Sequence, residues 1–384
     1  MEGANMILDP VHENIIITDN VINDLIQASA FQRLKGLKQQ GNTYFLLSNT
    51  THNRYSHSLG VYENMRKMIN QLTKNDMLFT DNEIEIALIS ALMHDIGHGP
   101  YSHCFEHITD IHHEKWTVRI IRENAEISSI LSGSTGLLEA VIAVIERTGE
   151  YPLIEELLFS QIGADKLDYH LRDLYFSEIS QEPYSLEGLI GGLHFHSGKL
   201  VLDSNAIQEV EKFILIKRKL FEQGFNHPDV IGKDVLLKLL FRRAKYLFEH
   251  KELDKFPAIL TSLFVGEYWT LDNYLQLNDQ VIFNIVQDWS ENRDLVMSEL
   301  SNKYISSIEA SIKWIELNDD LVEHIKLTDP YTSQLFTQDE KYVCYRAGIY
   351  VLDKSGRLVD ICEKSQTIKQ HSTYKPKKYF YYLG

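Results

Sequence analysis

The sequence predicts a mainly α-helical protein with small antiparallel β elements. Apolar residues recur with the helical period of about 3.6 residues from near residue 21 to residue 317. Residues 58–72, for example, place Leu59, Met65, Met68 and Leu72 on one stripe. Runs with the composition of β-strands are short, and they lie near the N-terminus, around Gly198 and after residue 329. Helices are therefore expected to build the core.

The first half of the chain is expected to open with a short β-like run at residues 14–18 and to continue as helices. Thr80, followed by polar residues up to Glu83, is typical of a helix start, so a helix is predicted to begin there and to run through the apolar residues 84–93. The periodicity predicts further helices over residues 58–72, 116–124, 136–148 and 162–176.

The second half begins after the break at Gly191-Gly192 with a predicted hairpin over residues 194–202, which turns at Ser197-Gly198. Helices are predicted over residues 206–225, 232–250, 272–289 and 295–317. After Asp329-Pro330, runs at 342–345, 348–352 and 358–362 predict a small antiparallel element. We therefore divide the chain into a core at 1–190, a helical region at 191–328, and a C-terminal α/β element at 329–384.

Composition places the chain among ordinary globular proteins, with 384 residues, 44% hydrophobic and 24% charged. There is no apolar run near 20 residues and no basic region followed by an apolar one, so we expect neither a membrane span nor secretion. The three cysteines are far apart and lack CxxC spacing, which argues against a disulfide framework and a structural zinc site. A cytoplasmic location fits these features.

The formal net charge of −16 constrains the partners. A surface this acidic repels phosphates, so we do not expect sequence-independent binding to duplex nucleic acid. A small phosphorylated substrate remains compatible with it, because such a substrate needs only a local positive pocket and a metal ion.

The most informative stretch contains His94 and Asp95 at the end of a predicted core helix. Neighbouring residues do not share a face in mid-helix, but they can converge on one metal ion where the helix ends. Gly97, Gly99 and Pro100 supply that ending. The pattern therefore predicts a polar, metal-binding cluster held at the tip of a buried helix.

Histidine density supports a metal site, since eight of the sixteen histidines lie between residues 52 and 113. Each buried imidazole needs a polar partner, so this clustering is costly in a purely structural core. Histidine with carboxylate and no cysteine suits a divalent Mn, Fe, Mg or Zn ion, with positions left for water.

Four segments with ligand-type residues follow one another along the chain: 51–60 with Arg54 and His57, the His94-Asp95 segment, 112–114, and 163–169 with Asp165. Together with Phe31-Gln-Arg33-Leu34, this order resembles the HD superfamily of metal-dependent phosphohydrolases. Within it, the likeness is greatest to the deoxynucleoside triphosphate triphosphohydrolases. The resemblance covers most of residues 1–300 and implies an HD-domain helical core with a helical C-terminal region.

The resemblance also implies roles for individual residues. The implied metal ligands are His57, His94, Asp95 and Asp165. His103 matches a general acid that protonates the departing 5′ oxygen, with Glu106 orienting it, and His98 and His113 match groups that contact phosphate or position water. The implied substrate contacts are Arg54, Lys166 and Lys217 to phosphate, and Gln39, Tyr169 and Asp173 near the sugar. Asp168 and Arg172 have a second interpretation, in which they only brace their helix.

The implied reaction is metal-dependent hydrolysis of a deoxynucleoside triphosphate (dNTP) to deoxynucleoside and inorganic triphosphate, in a protein that self-associates as a dimer or tetramer. The chain departs from the family pattern at Lys217, where an arginine is usual, at Phe225, where a tyrosine is usual, and at Gln27, where an aspartate is usual. Two alternatives therefore stay open. One is an HD phosphohydrolase for another nucleotide, either a monophosphate, a cyclic or a signalling nucleotide. The other is a metal-stabilised regulatory module with weak or no turnover.

Overall fold

The computed structural model describes residues 5–253, 256–265, 269–317, 333–337, 345, 347–353, 355–372 and 377–383. Helices dominate the described part of the chain, as predicted. The α-helices are α1 (Asn20–Gln27), α2 (Ser29–Gln32), α3 (Arg54–Lys74), α4 (Asp81–Met93), α5 (His103–Thr109), α6 (His113–Glu123), α7 (Ala125–Leu131), α8 (Leu137–Glu146), α9 (Pro152–Phe159), α10 (Ala164–Ser177), α11 (Leu186–Gly191), α12 (Ile207–Leu220), α13 (Pro228–Glu249), α14 (Thr261–Val265), α15 (Leu271–Leu275), α16 (Asp279–Trp289), α17 (Leu295–Ile305) and α18 (Gln366–His371). The strands are β1 (Asn5–Asp9), β2 (Glu13–Ile17), β3 (Leu193–His196), β4 (Lys199–Asp203), β5 (Lys313–Leu317), β6 (Ser333–Thr337), β7 (Tyr350–Leu352), β8 (Leu358–Asp360) and β9 (Lys378–Tyr382).

Strands β1 and β2 form an antiparallel hairpin at the N-terminus, so the β-like run predicted there is one arm of it. Its inner face carries Ile15 and Ile17, which are fully or almost fully buried, while Met6, Leu8 and Ile16 on the other face are exposed. This alternation is what the two-residue period of a strand produces when one face packs on a core. The hairpin is therefore part of the folded core and contacts α3.

Helices α3, α4 and α10 pack side by side at the centre of the molecule. The predicted start of α4 is confirmed: the side chains of Thr80 and Glu83 form a reciprocal capping box. Residues 86–93 of α4 are almost all buried, which is why this helix is apolar around its whole circumference. The last helical residue is Met93, so His94 and Asp95 lie where the helix stops, as the sequence predicts.

Three helix predictions in the second half need correction. The helix predicted over 272–289 is interrupted between α15 and α16, because Asn278 leaves helical geometry to cap α16 through the N–H of Val281. The helix predicted over 206–225 ends at Leu220 and continues as a π-helical turn in which Gly224 has non-helical dihedral angles. The helix predicted to reach Leu317 ends at Ile305, and the remainder becomes β5, which gains hydrogen bonds by pairing with β9.

The sheets are small, as predicted. The hairpin β3–β4 turns at Ser197 and Gly198, both with positive φ, which is the two-residue turn preferred between twisted strands. Strand β7 pairs with β4 in parallel and with β8 antiparallel, so the C-terminal element extends this hairpin and is not an independent antiparallel unit. A second sheet has the order β5-β9-β6. The predicted run at 342–344 lies outside the described residues.

The fold class is confirmed as mainly α with small β elements. Within the described part of the chain, none of the helices combines the length and apolar composition that crossing a bilayer requires.

Candidate metal centre and active site

The four residues predicted to bind metal lie together where three elements meet. His57 lies near the start of α3, Asp165 in the first turn of α10, and His94 and Asp95 just past α4. The Nε2 atom of His57 is 3.3 Å from Asp165 Oδ1 and 3.5 Å from Asp95 Oδ2. The Nε2 atom of His94 is 3.3 Å from Asp95 Oδ1 and 3.7 Å from Asp165 Oδ1. The sequence prediction of this group is consistent with the geometry.

Both imidazoles turn their Nε2 atom toward this cluster. His57 Nδ1 lies 2.7 Å from Asp168 Oδ2, and His94 Nδ1 lies 2.9 Å from the carbonyl oxygen of Ala91. Since those oxygens only accept hydrogen bonds, each Nδ1 must donate, which leaves Nε2 as the ligand atom of the neutral ring. Both Nε2 atoms are buried and make no hydrogen bond within the described residues. These two unpaired nitrogens and the Asp165 carboxylate fit a divalent metal ion, and the Asp95 carboxylate adjoins them.

The charges around the cluster also fit a cation. Arg54 pairs with Asp95, and Arg172 pairs with Asp9 and Asp168, while Asp165 faces the two imidazoles. The carboxylates outnumber the guanidinium groups here, which favours a bound cation.

The ionisation of His57 depends on this environment. Burial lowers the pKa of His57, but its interactions with Asp165 and Asp168 outweigh burial and raise that pKa to about 10. A metal ion at this position must therefore displace a proton from the ring at neutral pH.

Gly60 allows the carboxylate of Asp168 to approach α3. A Cβ atom at Gly60 would lie 1.8 Å from Asp168 Oδ1 and 2.6 Å from Arg172 Nη2. We expect Gly60→Ala to lower the free energy of unfolding by about 1–3 kcal/mol, because two buried charged groups must shift. Chemical denaturation measures this change. Gly191→Ala is the control, since a Cβ atom there meets no atom within 4 Å, and an equal loss in both variants would contradict the prediction.

A second polar group adjoins the first around Glu106 on α5. Its Oε1 atom lies 2.5 Å from His113 Nδ1, and its Oε2 atom lies 3.3 Å from His103 Nδ1 and 3.4 Å from His112 Nδ1. Burial raises the pKa of Glu106, but the surrounding imidazoles dominate and hold it well below its usual range. Glu106 is therefore an ionised acceptor shared by three histidines, whereas the sequence assigned it to His103 alone.

His98 connects the two groups. Its ring stacks on that of His113, with centroids 3.7 Å apart and an angle of 15° between the planes, and its Nε2 atom is 3.4 Å from Asp95 Oδ1. Burial, Arg54 and His113 together lower the pKa of His98 well below its usual value. This ring is therefore neutral at pH 7 and can act as a hydrogen-bond donor to a bound ligand. His103, in contrast, is 68% exposed.

Arg54 is buried and occupied by protein groups. Its guanidinium contacts Asp95 through Nη1 and donates to Ser102 Oγ through Nη2, at 2.8 Å. Ser102 and its neighbour Tyr101 both have φ of 54°, a strained conformation for residues with a side chain. Asp279 stabilises this turn, since its Oδ1 atom accepts the N–H of Tyr101 at 2.8 Å. The turn immediately precedes His103, and so fixes where α5 begins.

A cavity of about 710 Å³ opens onto these groups. Most of the predicted site residues line it. They are Gln39, Arg54, His94, Asp95, His98, His103, His113, Asp165, Lys166, Tyr169 and Asp173. His57 and Glu106 are not among the described residues that line it. Lys217 on α12 is not among the described residues that line the cavity, and its charge acts on His170.

An HD domain matches residues 54–180, the segment that carries all four clustered residues. The uncharacterized protein YwfO of Bacillus subtilis (strain 168) is 30% identical over 403 residues, covering 96% of this chain and 91% of that protein. This chain belongs to the HD-domain family of phosphohydrolases. The SAMHD1 homolog of Dictyostelium discoideum, a deoxynucleoside triphosphate triphosphohydrolase, is 29% identical over 190 residues, or 46% of this chain and 37% of that protein.

Solved structures share the fold of this HD-domain protein. A phosphohydrolase from Bacteroides thetaiotaomicron VPI-5482 superposes with a TM-score of 0.87 over 99% of this chain and 100% of that chain, at 24% identity. A hypothetical protein from Aquifex aeolicus superposes with a TM-score of 0.77 over 99% of this chain and 96% of that chain.

Several residues of this HD-domain site were not found from the sequence. His52 lies 2.7 Å from Asp173 and stacks on Phe176, so it fixes a carboxylate that lines the cavity. Arg147 lines the cavity beside Lys166, where it contacts Glu114 and lies over the ring of Phe159. Arg147 ends α8 with no surrounding motif, so its local sequence carried no signal. The dense histidines between 52 and 113 were the one available pointer to His52.

Proposed function

We propose that this HD-domain phosphohydrolase hydrolyses dNTPs to deoxynucleoside and inorganic triphosphate. The observation that carries the proposal is the cavity of about 710 Å³. It joins the candidate metal centre to cationic side chains at Arg147 and Lys166 and to polar side chains at Gln39, Tyr169 and Asp173. Such a site can take a polyphosphate on one side of the cluster and a sugar on the other. Similarity to the Dictyostelium triphosphohydrolase supports the same substrate class.

His57, His94, Asp95 and Asp165 would hold the divalent ion. When bound, such an ion raises the electrophilicity of phosphorus and lowers the pKa of an attacking water. The remaining chemistry belongs to side chains of this chain. The most demanding step is protonation of the 5′ oxygen that leaves the α-phosphorus, because an alkoxide is a poor leaving group.

His103 is the proposed proton donor for that oxygen. It lines the cavity, and its Nδ1 lies 3.3 Å from Glu106 Oε2, so the carboxylate can orient the ring. His113, held at 2.5 Å by the same carboxylate, and neutral His98 stacked on it are the proposed contacts to phosphate oxygens. Arg54 offers a further cation, held in place by Ser102.

The sugar would bind where Gln39, Tyr169 and Asp173 line the cavity. The Oε1 atom of Gln39 is buried without a hydrogen-bond partner within the described residues, which suits an acceptor for a sugar hydroxyl. Asp173 is oriented by His52, so its remaining carboxylate oxygen has a fixed direction. These polar side chains favour a substrate that carries a nucleoside over a phosphate ester that lacks a sugar.

Product analysis tests the proposal. The metal-loaded protein is incubated with each dNTP, the matching monophosphates and cyclic nucleotides, and the products are identified by phosphorus NMR. Inorganic triphosphate from a dNTP is the expected result. Pyrophosphate from a dNTP, inorganic phosphate from a monophosphate, or a linear nucleotide from a cyclic nucleotide would favour the alternative phosphohydrolase. Binding without turnover would favour the regulatory module.

Arg147 provides a test of where the polyphosphate lies. We expect Arg147→Gln to raise KM for a triphosphate on the order of 10-fold, since one charge-assisted hydrogen bond is worth about 1.5–3 kcal/mol. The KM for any monophosphate that is cleaved should change little. Arg122→Gln on α6 is the control, because Arg122 pairs with Glu139 on the surface. A triphosphate KM that is the same in wild type and Arg147→Gln would place the polyphosphate elsewhere.

Self-association as a dimer or tetramer also stays a prediction. The exposed side chains of Met6, Leu8 and Ile16 form an apolar outer face on the N-terminal hairpin, which is compatible with it.

A further inference from the structure

The turn of the N-terminal hairpin places two polar side chains inside the protein. Asp9 ends β1 and His12 precedes β2, and they are only 7% and 6% exposed. Both lie well before residue 54, where the match to the HD domain begins. Buried polar groups require partners, and the partners of these two lead to the metal centre.

Asp168 contacts both the N-terminal hairpin and the candidate metal centre. Its Oδ2 atom accepts from Nδ1 of the metal-type ligand His57 at 2.7 Å and from Arg172 Nε at 2.9 Å. Its Oδ1 atom accepts from His12 Nε2 at 2.7 Å and from Arg172 Nη2 at 2.9 Å. Four donors therefore fix the plane and the depth of one carboxylate, and His12 supplies one of them from outside the matched HD domain.

Asp9 holds the other side of the same network. Its Oδ2 and Oδ1 atoms accept from Arg172 Nη1 and Nη2 at 2.8 and 3.1 Å. Its Oδ1 atom also accepts the backbone N–H of His12 at 3.0 Å, which closes the hairpin turn. The hairpin thus fixes both partners of Asp168 that do not bind metal themselves, His12 directly and Arg172 through Asp9.

We propose that His12 is a positioning residue for the metal ligand His57, acting through Asp168, and that the N-terminal hairpin is a required part of the metal centre. The orientation of the His57 ring depends on the direction of the Asp168 Oδ2 atom. That direction is fixed only while donors occupy Oδ1. Outer partners of this kind affect metal affinity strongly because they set the tautomer and the angle of the ligand ring. The inference concerns the metal centre itself and holds whichever nucleotide is hydrolysed.

Two substitutions of similar polarity separate positioning from simple space filling. In His12→Gln the amide nitrogen can occupy the position of the imidazole Nε2 and donate to Asp168. In His12→Asn the amide reaches only the position of Nδ1, so the donor is lost. We expect His12→Asn to weaken Co²⁺ binding by about 10–100-fold, while His12→Gln stays within about 3-fold of wild type. Competition with a chelator, followed by the visible absorption of bound Co²⁺, gives both the affinity and a signature of the ligand geometry.

Asp9→Asn is a further variant, which keeps the oxygen that closes the turn but removes the charge that holds Arg172. It is expected to weaken Co²⁺ binding in the same direction as His12→Asn, and it keeps the proposal testable should His12→Asn fail to fold. The controls are His194→Gln and His194→Asn, which make the same changes at another His–Asp pair. His194 lies on β3, and its Nε2 atom is 3.2 Å from Oδ2 of Asp203 on β4. Neither should change Co²⁺ affinity.

Melting temperatures of the metal-free proteins separate the two interpretations. A purely structural His12 would lower the melting temperature of the metal-free His12→Asn protein while the folded fraction bound Co²⁺ as tightly as wild type. That result, or equal Co²⁺ affinities of His12→Gln and His12→Asn, would overturn the proposal, as would wild-type affinity in a folded Asp9→Asn protein.

Discussion

Asp95→Ala is expected to lower turnover by about 10³-fold or more, which corresponds to the several kcal/mol that a metal ion contributes in such reactions. Both oxygens of Asp95 lie within 3.5 Å of a ligand-type nitrogen, and its carboxylate also pairs with Arg54. Under the proposed function, the substitution removes a metal ligand and also frees Arg54, the proposed further cation of the phosphate site, from its carboxylate partner. The fold should persist, because the buried apolar residues of α4 are untouched, although loss of bound metal removes some stability.

Turnover, metal content by elemental analysis and circular dichroism are measured on the same preparation. Asp81→Ala is the matched control, since Asp81 is an exposed carboxylate at the start of the same helix. Wild-type turnover by Asp95→Ala protein that retains metal would mean that the active site has been misplaced.

The second large effect is expected at His103. If it protonates the departing 5′ oxygen, His103→Ala should lower turnover by roughly 10²-fold or more while metal and substrate still bind. The loss should shrink for a nitrophenyl phosphodiester, because a nitrophenolate leaves without protonation. Comparing the two substrates therefore isolates proton donation from binding.

His112→Ala is a close control for this experiment. Like His103, His112 is largely exposed, at 78%, and approaches Oε2 of Glu106, but it is not among the described residues that line the cavity. We expect near wild-type turnover in that variant. An equal loss on both substrates in His103→Ala, together with loss of metal, would make His103 a ligand or a structural support.

The sequence predicted best what is encoded locally. The start of α4 depends on side chains three residues apart, and the placement of His94 and Asp95 depends on where the same helix must stop. The proximity of His57, His94, Asp95 and Asp165 could be predicted because each lies in a recognisable segment, and their role as metal ligands stays a prediction. The end of α17 was missed because Lys313–Leu317 is a short, partly apolar run, and such a run is ambiguous between helix and strand until its partner β9 is known.

The pairs that support the site could not be predicted in the same way. His12 and Asp168 are 156 residues apart, and His52 and Asp173 are 121 residues apart. A single sequence contains no information on which distant polar residues meet. Nothing in the sequence around either histidine distinguishes it from an ordinary buried or surface histidine. The charge of Arg147 was likewise visible, but its position at the cavity depends on how α8 and α9 pack.

The parallel pairing of β4 with β7 has a consequence for how the chain folds. Val201 aligns with Tyr350, so about 150 further residues must be synthesised before this ladder can close. Until then, β4 presents an unpaired edge whose Leu200, Val201 and Leu202 are buried in the finished protein. Such an edge readily recruits strands from other molecules. Pairing with β7 therefore protects the edge of β4 from aggregation. A chain that terminates before residue 350 would leave that edge exposed.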